Sequence, residues 1–86
     1  MKLYLSEGEG IEKKEIVGIF DMDSATVSPR TQDFLRRGER EGRLTSVTED
    51  VPVSFVVSTG KKGKIQIYLT RNAPRALRRR AERFLI

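Results

Sequence analysis

The stretch from Val53 to Thr70 constrains the fold more than any other part of the chain. Two apolar segments, Val53–Thr59 and Lys64–Thr70, flank the residues Gly60-Lys61-Lys62-Gly63, which have glycine at both ends. In the second segment isoleucine and leucine alternate with polar or aromatic residues, which is typical of a strand. So short a connection joins only antiparallel strands, because parallel strands need a crossover of about a dozen residues or more. The sequence therefore predicts an antiparallel hairpin and disfavours an all-parallel sheet.

Four further segments have the patterns of strands. Lys2–Ser6 alternates, with its leucines on one face, and a turn at 7–10 leads into a brief edge strand at Ile11–Lys14. Ile16–Phe20 is apolar at successive positions, so we expect its two faces to be covered by helices or by another subunit. Leu44–Thr48 is predicted as a further strand.

The first of two predicted helices begins at Ser28-Pro29, where the serine side chain is expected to cap free N–H groups and proline fits the first position. It should run to Glu41 and stop at Gly42 in a left-handed conformation. Its arginines and acids are interleaved at pairing distances, which predicts a charge-balanced, solvated surface. Gly38 costs about 1 kcal/mol of helix propensity relative to alanine, so it either permits a close backbone contact or is merely tolerated.

The second predicted helix closes the sequence. Asn72 is expected to cap it, with Pro74 in its first turn. Leu77, Ala81 and Phe84 recur at helical spacing, and arginines occupy the opposite side. Together the elements predict one α+β domain over residues 1–86: a small, curved, mostly antiparallel sheet with two helices.

All of the net charge lies in the last sixteen residues. Residues 1–70 contain eleven Lys/Arg and eleven Asp/Glu, and residues 71–86 contain six arginines and Glu82, so 6 − 1 = +5, the charge of the whole chain. A neutral body with a concentrated arginine segment indicates a polyanionic partner or an acidic subunit contact. It does not indicate a small-molecule enzyme, although a purely solvated helix is a further interpretation.

Size and composition limit the remaining possibilities. With 86 residues, no cysteine and no histidine, the chain lacks disulfides and the usual soft metal ligands, and its own core is marginal. Self-association is the remaining common way to bury more apolar surface. The N-terminal residues are too short and polar for a signal peptide, and no stretch resembles a membrane span. We expect a cytoplasmic, soluble protein without cofactor, metal or membrane partner.

One motif suggests catalysis. Val17–Asp23 (VGIFDMD) resembles the nucleophile strand of haloacid-dehalogenase-type phosphatases, in which two carboxylates at a strand end work beside magnesium. That family continues with Gly-Thr where this chain has Ser24-Ala25, and it needs a larger parallel sheet with further loops. The structural alternative is that Asp21 or Asp23 ends the strand and bonds locally in a turn. We therefore expect no enzyme and keep a phosphatase fragment as a remote alternative.

Four segments in order resemble one known family. They are Glu15–Asp21 (EIVGIFD), the Ser-Pro-started helix with Phe34-Leu35, Ser54–Val57 (SFVV), and the pattern Leu77-x-x-Arg80-Ala81-x-x-Phe84. In order, spacing and length the chain resembles the short bacterial extracellular-matrix (biofilm) regulators of the Rem family, the B-type more than the A-type. The resemblance implies a fold akin to LytTR-type DNA-binding domains, ring-like self-assembly, and transcriptional control of matrix genes.

The chain departs from this family at one place. A-type members carry an adjacent arginine pair, implicated in DNA contact, just before the strand that matches Ser54–Val57. The corresponding residues here, Val51-Pro52-Val53, are apolar and uncharged. Either DNA binding moves to the C-terminal arginines and the lysine-rich turn, or the protein assembles without DNA.

Two functions follow as hypotheses. In the first, the chain binds duplex DNA through phosphate contacts, as a homo-oligomer. The expected contacts are Arg75, Arg78, Arg79 and Arg83, with Arg71, Lys61, Lys62 and Lys64 as auxiliaries. In the second, it is a structural or protein-interaction module, in which the arginine helix pairs with acids of a neighbouring copy and Ile16–Phe20 supplies apolar contact. The candidate acids are Glu39, Glu41, Glu49 and Asp50. For the lysine turn, a solvated loop is the favoured interpretation and a phosphate contact is the alternative.

Overall fold

The computed structural model describes residues 1–6, 8–60 and 62–82. Its elements in chain order are β1 (Lys2–Ser6), β2 (Glu9–Glu12), a 3-10 turn (Lys13–Glu15), β3 (Ile16–Asp21), α1 (Met22–Ala25), α2 (Pro29–Arg40), β4 (Leu44–Ser46), β5 (Ser54–Ser58), β6 (Gln66–Thr70) and α3 (Pro74–Glu82). The α+β class predicted from the sequence is confirmed.

Four of the strands form one sheet in the order β3-β5-β6-β4. The predicted hairpin is present: β5 and β6 pair antiparallel, with Ser54 opposite Thr70 and Ser58 opposite Gln66. Gly60 and Gly63 have φ of +64° and +75°, a left-handed conformation that glycine adopts without steric cost. β3 pairs antiparallel with β5, whereas β4 runs parallel to β6. The mostly antiparallel sheet is therefore confirmed, with β4 as a parallel exception.

The parallel pairing of β4 follows from the path of the loop between β4 and β5. This loop passes the end of β6, where the Val47 N–H donates to Leu69 O at 2.9 Å and the Val53 N–H donates to Thr70 O at 2.8 Å. The loop therefore crosses the end of β6, and β4 and β5 lie on opposite sides of that strand. Because β5 is antiparallel to both β4 and β6, β4 and β6 are parallel.

The remaining strands, β1 and β2, form a separate antiparallel pair in which Leu3 lies opposite Ile11. β1 has the predicted bounds and buries its two leucines. β2 covers Glu9–Glu12, so the prediction of a strand at Ile11–Lys14 is wrong by two residues. Lys13–Glu15 forms the 3-10 turn instead, which redirects the chain into β3.

Apolar side chains cover both faces of the four-stranded sheet. On one face Val56 packs with Leu3, Leu5, Ile11 and Leu77, which come from the β1–β2 pair and α3. On the other face Phe55, Val57 and Ile67 pack under α1 and α2. Neighbouring residues of β5 point to opposite faces, and all five are buried.

β3 lies at an edge of the sheet, and its apolar residues are covered incompletely. We expected cover on both faces of Ile16–Phe20, yet Val17 is 59% and Phe20 40% exposed in the single chain. Phe20 stacks on Phe55 at a ring-centroid distance of 5.1 Å. The outer side of the strand has no neighbouring strand among the described residues.

The helix predictions need three corrections. α2 begins at Pro29 as predicted, but Ser28 makes no side-chain capping bond, and the helix ends at Arg40, one residue early. The left-handed stop at Gly42 is confirmed, with φ of +74°. The described ranges hold three α-helices instead of the expected two, because Asp21 starts the single-turn α1.

The cap predicted at Asn72 is also wrong. Its side-chain amide donates to Leu5 O at 2.9 Å and to Thr70 Oγ1 at 3.1 Å, and α3 begins two residues later at Pro74. Asn72 thus ties β1 to the end of β6. The apolar stripe expected on this helix is present at Leu77, which is fully buried, and at half-buried Ala81, whereas Phe84 lies outside the described residues.

Gly38 brings α2 close to the sheet. The residue is buried, and a Cβ atom at this position would stand 2.6 Å from Cδ1 of Ile67. Carbon atoms in ordinary contact are about 3.5–4.0 Å apart, so no larger residue fits unless Ile67 moves. Of the two interpretations of Gly38, the close contact is therefore confirmed.

Candidate nucleic-acid interface

The arginines of α3 lie on the side of the helix away from the core. Pro74 and Leu77 are buried, and Leu77 belongs to the same cluster as Val56 of the sheet. Arg75 and Arg79 are exposed and, four residues apart, lie on one face of the helix. Neither makes an ion pair or side-chain hydrogen bond within residues 1–6, 8–60 and 62–82. Their guanidinium groups are available to an anion.

Arg78 has a partner that its sequence position did not indicate. Its Nη2 donates to the carbonyl oxygen of Ile19, on β3, at 2.9 Å. The Met22 N–H donates to Val53 O at 2.9 Å, and hydrogen-bonded pairs alternate along an antiparallel ladder. The carbonyl of Ile19 therefore faces away from β5, at the open edge of the sheet. Arg78 covers this edge, a common way to prevent unwanted strand pairing.

Two other C-terminal arginines are engaged within the chain. Arg71 lies 3.4 Å from Asp50 in an exposed ion pair, whose contribution to stability is only about 0–1 kcal/mol. Arg80 donates to Tyr4 O at 3.2 Å and to Asn72 Oδ1 at 3.4 Å, which fixes its head over β1. The predicted interface is therefore centred on Arg75 and Arg79, with Arg78 beside them.

The lysines of the hairpin turn are not brought next to the start of α3. Lys62 and Lys64 are exposed and lie in the turn between β5 and β6, at the end of the hairpin where Ser58 pairs with Gln66. The segment leading into α3 leaves the opposite end, after Thr70, and a five-residue strand spans about 17 Å. Lys61 and Arg83, also predicted as contacts, lie outside the described residues.

A groove of about 670 Å³ separates α3 from α1. Arg75 and Arg78 line one side, and Asp21 and Ser24 line the other. The Asp21 carboxylate accepts hydrogen bonds from the N–H groups of Asp23 at 2.8 Å and Ser24 at 3.2 Å. The Asp21 carboxylate is thus bonded to the start of α1, and Arg75 and Arg78 make the opposite side of the groove positively charged.

The same hydrogen bonds give the Asp-x-Asp motif a structural role at the start of α1. β3 ends at Asp21, and Asp23 lies on α1, so the two carboxylates do not alternate along a strand. The prediction that an aspartate bonds locally at the strand end is confirmed for Asp21. Within the described part of the chain, no cluster of three or more acidic, histidine or cysteine residues is arranged to hold a metal ion.

Tyr68, on β6, has a displaced pKa. Burial, assisted by the negative charges of Glu9 and Glu15, raises the pKa of Tyr68 above its ordinary value. Tyr68 packs against the cluster under α3 and is not part of the arginine face. Its shift reflects burial in this cluster.

A second groove, of about 410 Å³, lies between β3 and α2; we call it the β3–α2 groove. Its lining is apolar apart from Thr31 and Arg30, and it includes Val17, Phe20, Ala25, Phe34, Phe55, Val57 and Ile65. Sequence reasoning identified the apolar strand but not this groove, because the groove exists only once α2 has packed over β5.

Comparison with known proteins adds no assignment: no protein-family model matches the chain, and a search of curated proteins finds no match. Across residues 1–6, 8–60 and 62–82, no helix has both the length and the apolar character needed to cross a bilayer.

Proposed function

We propose that this chain is a small, self-assembling DNA-binding protein of the cytoplasm. On the resemblance to the Rem family, its role is the regulation of transcription of extracellular-matrix genes, and it is not an enzyme. The observation that carries the proposal is the arginine face of α3, where Arg75 and Arg79 are exposed and have no partner among the described residues. Such a face favours a polyanion with closely spaced phosphates.

The contacts would be made chiefly with phosphate oxygens. Arg75 and Arg79 lie on one face of a helix, and each guanidinium can bind a phosphate through two parallel hydrogen bonds. Arg78 can contribute as well, because a guanidinium has five N–H donors and the bond to Ile19 uses only one of them. No constellation of base-reading side chains accompanies them in the sequence, so DNA shape and backbone position would dominate recognition.

The salt dependence of binding tests this assignment. Duplex DNA binding, followed by fluorescence anisotropy, should weaken steeply as salt rises, and each phosphate contact contributes about −0.9 to the slope of log affinity against log salt. Removing two contacts with Arg75→Gln/Arg79→Gln should therefore reduce the slope by about 1.8 for each copy engaged.

The matched control is Arg37→Gln/Arg40→Gln on α2. Both of these arginines are exposed, and the change removes the same charge from a helix that also carries the acids Asp33 and Glu39. The control should leave the slope unchanged. An equal reduction in both variants, or no DNA binding by the wild-type protein at low salt, contradicts the proposal.

A second candidate function is an assembly module that does not bind DNA. It is favoured by the intrachain use of Arg71, which pairs with Asp50, and by the exposure of apolar side chains at Val17 and Val51. If the arginines hold copies together, Arg75→Glu/Arg79→Glu should abolish the assembly in sizing chromatography with light scattering. An intact assembly that has lost DNA binding would favour the first function.

A further inference from the structure

The loop between β4 and β5 presents an apolar tip. Val51 is 81% exposed, and Pro52 and Val53 follow it. The loop is nevertheless anchored, because the Val53 N–H donates to Thr70 O at 2.8 Å and Val53 O accepts from the Met22 N–H at 2.9 Å. An apolar projection anchored at its base loses less conformational freedom on binding than an unanchored loop, which favours its use as a contact. We call residues 49–53 the Val51 loop.

The lining of the β3–α2 groove is mainly apolar, like the tip of the Val51 loop. The groove is open, about 410 Å³ in volume and lined mainly by apolar side chains, with Val17 and Phe20 partly exposed at the edge strand. Its volume exceeds that of one valine side chain, so it can admit the side chain of Val51. Arg30 is the charged residue that lines it, and it makes no ion pair within the described ranges.

The loop and the groove also carry opposite charges. Glu49 precedes the apolar tip, is exposed, and has no ion pair within the part of the chain that the structure describes, whereas Asp50 is paired with Arg71. The loop therefore offers an apolar tip and one available carboxylate, and the groove offers an apolar lining and one available guanidinium. Glu49 and Arg30 thus have opposite charges, and each lies next to an exposed apolar surface.

We propose that the Val51 loop of one copy binds in the β3–α2 groove of the next copy, with Glu49 beside Arg30. No residue of the Val51 loop lines the groove of its own chain, so the contact is intermolecular. Loop and groove are different surfaces, which makes the contact heterologous; repeated from copy to copy, it generates a ring or a filament. The proposal rests on the self-association in the proposed function and is independent of DNA.

Sedimentation velocity over a range of protein concentrations tests the contact. Val51→Asp disables the loop, and Val17→Asp places a charge in the groove at an exposed position. Each variant should weaken self-association at least tenfold, which corresponds to about 1.4 kcal/mol. A mixture of the two should form a one-to-one dimer, because one copy retains a groove and the other a loop.

The matched control is Val27→Asp. Val27 is 77% exposed and belongs neither to the Val51 loop nor to the groove lining, so this variant should assemble like the wild-type protein. Circular dichroism establishes that each variant is folded. Since Val51 is a loop residue, its variant remains informative if Val17→Asp does not fold.

A charge exchange tests the polar part of the contact. Glu49→Arg and Arg30→Glu should each weaken assembly several-fold at low salt, and the double variant should recover the wild-type association constant. Wild-type assembly in the Val51→Asp and Val17→Asp variants, or no recovery on charge exchange, overturns the proposal. A wild-type protein that stays monomeric overturns it together with self-association, while DNA binding is measured separately by the salt slope.

Discussion

Replacing Gly38 with alanine should have opposite effects in two backgrounds. Alanine is favoured over glycine inside a helix by about 1 kcal/mol, so Gly38→Ala would stabilise α2 if the site were open. The site is closed, because the added Cβ would lie 2.6 Å from Cδ1 of Ile67, and Ile67 has no exposed surface through which its tip could turn outward. Overpacking of this kind costs about 1–3 kcal/mol. Gly38→Ala alone should therefore destabilise the protein by about 0–2 kcal/mol.

Ile67→Val removes the atom responsible for the conflict. The next nearest atom of Ile67, Cγ1, is 3.8 Å from the added Cβ, which is an ordinary contact distance. Ile67→Val alone should cost about 0.5–1.5 kcal/mol. In that background, Gly38→Ala should instead stabilise the protein by up to about 1 kcal/mol. The coupling between the two sites is then about 1–3 kcal/mol in favour of the double variant.

Urea unfolding followed by circular dichroism measures this double-mutant cycle. The four proteins should share one m value, so differences in midpoint report differences in stability. Arg37→Ala, at an exposed position of the same helix, is the control, and its effect should add to that of Ile67→Val within about 0.5 kcal/mol. If Gly38→Ala changes the free energy of unfolding equally in both backgrounds, the close approach of α2 to Ile67 is not what requires glycine.

Three further measurements test other contacts. Asp21→Ala should lower the free energy of unfolding by about 1 kcal/mol through loss of the α1 cap, and Asp21→Asn, which can still cap, should not. Asn72→Ala should cost about 1–3 kcal/mol in denaturant titrations, because it leaves the Leu5 carbonyl without its donor. Above pH 10 the unfolded chain should lose a Tyr68 proton that the folded chain retains, since the folded pKa is raised above 10.0. Wild-type stability should therefore decline with rising pH through that range more than that of Tyr68→Phe, and the two should change in parallel at lower pH.

Local features of the fold were predictable, because their causes lie within a few residues. The hairpin followed from alternation and from glycines at both ends of a four-residue turn, and the start of α2 followed from proline at its first position. α1 was missed because four residues are too few for a helical period to show. The prediction of a Ser28 cap failed because a capping residue type does not guarantee the hydrogen bond.

Sheet order depends on long-range contacts that no local pattern encodes. β3 and β5 are separated by more than thirty residues in sequence, and β4 pairs with β6 although β5 lies between them along the chain. The apolar composition of Ile16–Phe20 correctly indicated a strand but also suggested a covered position. Only the strand order places β3 at the edge, where Val17 remains exposed.

For the candidate site, the sequence predicts which arginines to consider but not which of them the fold leaves available. The charge imbalance identified the arginines, yet the partner of Arg78 is 59 residues away and is a backbone carbonyl, which leaves no signal in residue types. Arg71 and Asp50 likewise meet only because the loop after β4 crosses the end of β6. What distinguishes Arg75 and Arg79 from Arg71, Arg78 and Arg80 is that the fold gives them no partner among the described residues.

Assembly and DNA binding would reinforce each other. Strong salt dependence is typical of about 6–10 phosphate contacts, whereas Arg75 and Arg79 would supply two per copy, so at least three copies would have to act together. Copies joined by the Val51 loop would present their α3 arginines at repeated positions, and later contacts would form at a high effective concentration. By thermodynamic linkage, DNA that binds the assembly more tightly than the monomer must strengthen the assembly by the same factor. The Val51 loop would then promote DNA binding indirectly, by joining the subunits whose arginines would contact the phosphates.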